Sequence, residues 1–229
     1  MGGTTTYTTI NADGVENVDN GGTSTYTTIN AFGVLDIKTG GTGNLTTINF
    51  DGVETVENGG TAKNTTISDG GTENDHGTTV STTILRGGVE HVYSGGTAEN
   101  TNIRVGGTEI VDVGGTASGV IFGPNGTRSG GTLELAAPTL LKGTVTNWSV
   151  GDVIDLLNTN PDHVTVTQNS SHTTLTVFDN GSEIASYSLV GQQKNTMVSV
   201  TSDGAHGTDL ILTKTVGLGL GGFDGHLFG

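Results

Sequence analysis

A chain of 229 residues with 31% hydrophobic and 5% aromatic side chains cannot fill the thick core of a conventional globular domain. A formal net charge of −15 with only 8 lysines and arginines repels phosphate backbones and anionic lipid, which disfavours nucleic-acid and membrane-surface binding. The absence of cysteine removes disulfide frameworks and thiolate metal sites.

Met1 leads directly into Gly2-Gly3-Thr4 with neither a charged nor an apolar leader. No run approaches the ~20 apolar residues that cross a bilayer, so no membrane insertion of this segment is expected. The reading is either a piece of a longer secreted protein or an exported chain whose signal lies elsewhere, such as its C-terminus.

From residue 2 the chain repeats. Gly-Gly-Thr begins at Gly2, Gly21, Gly40 and Gly59 in steps of 19, and again at Gly95 and Gly114. A second column keeps the same time: Ile10, Ile29, Ile48 and Ile67 are 19 apart, Ile84 follows after 17 and Ile103 after 19. Each repeat has a Thr-Thr-Ile half and a valine-rich half such as Val53-Glu54-Thr55-Val56, both short, β-branched and bounded by glycine. One such unit cannot bury its apolar side chains alone, whereas stacked units put Ile on Ile and Val on Val. The predicted fold is therefore all-β, a right-handed parallel β-solenoid over residues 2–131. About seven coils at ~4.8 Å spacing make a rod on the order of 34 Å long.

The Ile column (Ile10, Ile29, Ile48, Ile67, Ile84, Ile103) is the predicted structural core. Asp13-Gly14, Asp51-Gly52 and Asp69-Gly70 are predicted corners, where positive φ favours glycine. Asn11, Asn30 and Asn49 follow the Ile column and are positioned for a turn-stabilising amide ladder. The interval from Ser68 to Arg86 predicts a corner of altered length.

From Thr132 the period gives way to longer alternating stretches at His163–Gln168, Thr173–Phe178, Glu183–Leu189 and Met197–Thr201, predicting an antiparallel β unit over 132–215. Asn180-Gly181 is a hairpin signal. Trp148, Leu156, Leu157, Phe178 and Tyr187 are expected as this unit's core, and its expected role is to cover the open solenoid end. Residues 216–229 read as a flexible tail.

Two threonine columns are the surface-array candidates: Thr8, Thr27, Thr46, Thr65 and Thr82, and next to them Thr9, Thr28, Thr47, Thr66 and Thr83. Neighbouring residues in a strand face opposite ways, so one of the two columns points outward. Flat hydroxyl arrays suit ice or sugar surfaces, though the positions beside them change from Tyr7 and Tyr26 to Leu45, Asn64 and Ser81. Glu54, Glu73, Glu90 and Glu109 form an acidic column read as a solvated face. Its carboxylates suit calcium, yet the aspartate-glycine nonapeptide of calcium-binding β-rolls is absent, so only weak calcium binding is kept open. The histidines lack metal-ligand spacing. Polysaccharide-cleaving β-helices are the enzymatic rival, but the cations are scattered and no coil is special. No catalytic residue, cofactor or metal site is predicted.

Repeats such as Gly59-Gly60-Thr61-Ala62-Lys63-Asn64-Thr65-Thr66-Ile67, each followed by a Gly-Val-x-x-Val element, resemble those of the AIDA-type autotransporter adhesin passengers. The resemblance covers residues 2–131. It implies a non-catalytic, secreted or bacterial cell-surface β-helical adhesin acting in autoaggregation, biofilm formation and attachment. Its implied partners are the chain itself or an extracellular polysaccharide, and its Ser and Thr residues are implied acceptors for a dedicated sugar transferase. The family's membrane-embedded β-barrel is missing from this chain, which leaves the secretion route open between an autotransporter and a type-one C-terminal signal. Gly151-Asp152-Val153-Ile154-Asp155-Leu156, with Thr201-Ser202-Asp203-Gly204, is similar to regions that close the repeat arrays of large bacterial secreted proteins.

Overall fold

The computed structural model describes residues 2–123, 130–168, 173–191, 196–204 and 207–214. The segment 216–229, expected to be flexible, lies outside them.

Each of the first six repeats makes three short strands, as in Thr23–Thr25, Thr28–Ile29 and Val34–Ile37 of the second coil. Each strand pairs in parallel with its equivalent in the next coil, so Ile10 lies beside Ile29 and Ile29 beside Ile48. Ile67, Ile84 and Ile103 continue the column. The isoleucines are buried throughout, from 5% exposure at Ile10 to 0% at Ile29 and beyond. Burying each such side chain contributes about 2 kcal/mol, which a lone coil with no neighbour would forfeit.

Corners hold because particular backbone positions admit no Cβ. Gly41 is one, since a methyl there would lie 2.2 Å from the Val18 carbonyl oxygen of the coil below. Gly59 is another, with φ at +79°. The amide ladder forms as expected: Asn30 Nδ2 donates to Asn11 Oδ1 at 2.9 Å and Asn49 Nδ2 to Asn30 Oδ1 at 3.0 Å. The altered corner is the link between Thr72–Asp75 and Thr78–Val80, where only His76 and Gly77 intervene. The Asp75 carboxylate fixes it by accepting from the Gly77 amide at 2.8 Å.

Parallel stacking does not end near residue 131. Thr132–Leu135 pairs in register with Val153–Leu156, and the strand Thr116–Phe122 pairs in parallel with Leu141–Thr146 across one register shift between Ser118 and Val120, which makes eight levels among the described residues rather than seven. Trp148 and Leu156, both 0% exposed, thus belong to the last coil. Two antiparallel groups meet that coil's open edges. One is the run His163–Gln168, Thr173–Asp179 and Ser182–Val190, whose last strand lies parallel to Leu141–Thr146. The other is the hairpin Thr196–Ser202 with Thr208–Lys214, whose second strand runs antiparallel to Val153–Leu156. Asn180 and Gly181, at φ 50° and 72°, turn the first group in the geometry two-residue hairpins favour. Tyr187 is buried and donates to the Pro138 carbonyl at 2.9 Å. Leu157 and Phe178 are only half-buried, the latter stacked on His163 at 4.6 Å, so neither is the core residue expected.

Candidate functional site

The coil walls sort the threonines by alternation, and the two candidate columns part company. Thr27, Thr46, Thr65 and Thr82 point inward at 1% exposure, and Thr8 at the open end is half-buried, so this column is not a surface array. Thr9, Thr28, Thr47, Thr66 and Thr83 face outward in register, with Asn102 next in line.

A longer outward column was missed. Thr23, Thr42, Thr61, Thr78, Thr97 and Thr116 stack above Thr4 in unbroken register. Part of its signal was the Gly-Gly-Thr spaced by 19 at Thr4, Thr23, Thr42 and Thr61, and again at Thr97 and Thr116, where the residue after the threonine faces inward from Thr23 onward. Thr78 follows His76-Gly77 instead, and the Gly-Gly-Thr at Thr72, Thr108 and Thr132 open strands of the valine-rich wall. Between the two hydroxyl columns runs a mixed one: Thr6, Thr25, Asn44, Lys63, Val80, Glu99 and Ser118. Among the described residues from Thr4 to Phe122, Lys63 and Glu99 are the only charged side chains in these three columns. The face is therefore nearly neutral on a chain of net charge −15.

The acidic column lies on the opposite side of the wall from where it was expected. Glu54, Glu73, Glu90 and Glu109 are paired coil to coil and each is 0% exposed, so the solvated-face reading is overturned. Alternation is the cause: Glu54 sits two residues from buried Val56 and shares its direction, while Val53 and Thr55 face out. Inward-facing threonine hydroxyls meet the carboxyls. Thr46 and Thr65 donate to Glu54 at 3.0 and 2.9 Å, Thr82 to Glu73 at 2.9 Å, and Thr79 and Thr101 to Glu90 at 2.7 and 2.9 Å. Burial raises all four carboxyl pKa values, that of Glu90 to about 7.

The outer face of the valine-rich strands differs again. His91 stacks on Tyr93 at 3.9 Å and Tyr93 on His76 at 4.4 Å, while His91 Nε2 lies 3.0 Å from Asp112 Oδ2. Farther along, Glu134, Asp155 and Asp209 come side by side on adjacent strands. Partial burial, then the nearby Asp209, Asp203 and Glu134, push Asp155 up to about 6. No group of three or more His, Asp or Glu side chains among the described residues is arranged to hold a metal ion. Among the described residues, no helix is long and apolar enough to cross a membrane.

Stacked parallel strands at a coil length near 19 residues define a parallel β-solenoid, finished at its C-terminal end by mixed pairing. No family model and no curated protein sequence matches the chain. Among solved structures it is similar to a TibA fragment crystallised in a hyper-glycosylated form produced by TibC. The identity is 32% and the TM-score 0.60, over 66% of this chain and 53% of that one. The chain thus spans about half the length of that fragment.

Proposed function

We propose that the chain is the repeat region of a secreted or surface-displayed bacterial adhesin that acts without catalysis. The supporting observation is the broad outer face of the coil, where two in-register hydroxyl columns run together over the first five levels, one of them continuing to Thr116, with two charged side chains among them. An acidic chain can bring such a face against another acidic surface without the repulsion its remaining surface imposes. Each hydroxyl contact is weak, but contacts repeated along a rigid rod add, so avidity comes from repetition instead of from a deep site. The occupant is a second copy of the chain or an extracellular polysaccharide. The mixed middle column interrupts the flat hydroxyl lattice that ice binding needs.

Exposed hydroxyls in register are also ready acceptors for a sugar transferase, and the hyper-glycosylated state of the similar TibA fragment supports that part of the reading. The C-terminal strands serve as the array's end piece, a role supported by their pairing with both open edges of the last coil.

The test is cell display. Cells carrying the chain should clump in a concentration-dependent way or be retained on polysaccharide. Glutamate at Thr47 and Thr66 should abolish this while leaving the circular dichroism spectrum unchanged. Purified protein that stays monomeric and is held by no cell or glycan surface would sink the reading.

A further inference from the structure

The interior glutamates have no part in adhesion, and their surroundings set a definite physical problem. Glu54, Glu73, Glu90 and Glu109 are stacked at coil spacing, about 4.8 Å, with no water-exposed surface. Leu35 continues the column below Glu54, and Leu133 continues it above Glu109, so the seam is sealed at both ends by leucine. The groups that face the seam are the hydroxyls of Thr46, Thr65, Thr79, Thr82 and Thr101, together with Asp75, itself bonded to the Gly77 amide. The charged groups acting on the four carboxyls are one another and Asp75, and none is a cation.

Hydroxyl supply runs out along the column. Glu54 and Glu90 each accept from the threonine 11 residues ahead. The same offset from Glu109 reaches Val120, which occupies the register position above Thr101 and offers no donor. Both Glu109 oxygens consequently lack a hydrogen-bond partner, as does Oε1 of Glu73. An ionised carboxylate sealed in that environment, beside another at coil spacing, is far costlier than a neutral carboxylic acid.

We propose that the glutamate column is a proton-holding ladder: folded at neutral pH, it retains protons that unfolding releases, so the rod is stabilised by acid and weakened by base. The sign follows from the direction of the shifts. Burial holds the folded carboxyls above their ordinary value of 4.5, with Glu90 at about 7. Their contribution is complete below the unfolded value and is lost as pH rises through the folded ones. The decline therefore falls between about pH 5 and 8, the reverse of the usual behaviour of ion-paired carboxylates.

Urea unfolding between about pH 6 and 8 tests this, since each proton released raises the unfolding constant about tenfold per pH unit. Wild type should show a rise of at least about tenfold per unit. The combined variant E54Q, E73Q, E90Q and E109Q keeps side-chain size but cannot ionise, and its slope should be shallower by at least one proton. Asp75 and Asp155, both at about 6, and Glu134 and Asp209, raised by partial burial, contribute to the slope that remains. A wild-type protein whose stability is flat or rising over this range, or a glutamine variant with an unchanged slope, overturns the proposal. If the combined variant does not fold, infrared spectra of an otherwise native E134Q protein, labelled with carbon-13 at the glutamate carboxyls, decide the matter. A protonated-glutamate band at pH 7 that vanishes on unfolding supports the ladder, and its absence disproves it.

Discussion

The isoleucine column and the glutamate column climb the same interior in the same coil-to-coil register, and both are withdrawn from water, yet they meet burial by opposite means. Ile29, Ile48 and Ile67 need only contact with one another and with the glycine corners of the next coil, Gly52, Gly71 and Gly88. Glu54, Glu73 and Glu90 need the hydroxyls of five threonines, Thr79 in a strand and the other four just ahead of the two-residue strands, and Glu109 is left without any. In a stacked fold a polar column is stable only while its partner column persists, and that partner ends where Thr101 gives way to Val120.

Cutting each column at its middle separates the two kinds of burial. Ile48 lies between Ile29 and Ile67 at 0% exposure, so Ile48→Ala opens a cavity that neighbouring coils cannot collapse into. It should cost about 2–5 kcal/mol in urea unfolding, independent of pH. Thr65→Val keeps shape but removes the donor to Glu54 Oε2. The expected loss is smaller, about 1–3 kcal/mol, and because that hydrogen bond lowers the Glu54 pKa the loss should grow from pH 5 to pH 8. An equal loss at both pH values would mean that Glu54 is neutral throughout.

Glu109→Leu goes the other way. It extends the leucine seal of Leu133 downward by one coil and removes two unpartnered oxygens, so it should leave stability unchanged or raise it by about 1–2 kcal/mol. The same exchange at Glu90, which has two hydroxyl donors, should instead destabilise by stranding Thr79 and Thr101. Measuring both by thermal unfolding tells a satisfied polar seam from an unsatisfied one.

Columns repeated in sequence are columns in space, which is why the Ile ladder, the Asn11 to Asn49 ladder and the shortened corner could be read before any coordinates. What the period cannot say is which side of the wall a column occupies. For the two threonine columns, that choice depends on the inward turn of Thr27 relative to Thr28. For the glutamates the signal was present and was overruled by their charge. Leu35 occupies the register position of Glu54, and buried Ile37 and Val56 follow two residues after each, so alternation alone places Glu54 inside. The eighth coil was obscured because residues 124–129 lengthen the sequence between Phe122 and Thr132, and because the pairing of Thr116–Phe122 with Leu141–Thr146 shifts register between Ser118 and Val120, while Thr132–Leu135 still pairs in register on both sides.

The smallest effect separates the two sides of one wall. Thr46 and Thr47 are neighbours in sequence, the first buried against Glu54 and the second outward. Thr47→Ala removes a half-exposed hydroxyl with no carboxyl to satisfy and should change stability by no more than about 0.5 kcal/mol. It should nonetheless reduce cell clumping if the outward columns carry adhesion, and Thr28→Ala and Thr66→Ala should deepen that reduction stepwise as successive levels are lost. Thr46→Ala should do the converse, weakening the fold through Glu54 while leaving the outer face intact. A variant series in which clumping follows stability instead of outward position would remove the distinction between the two columns, and with it the case that the threonine face is the adhesive one.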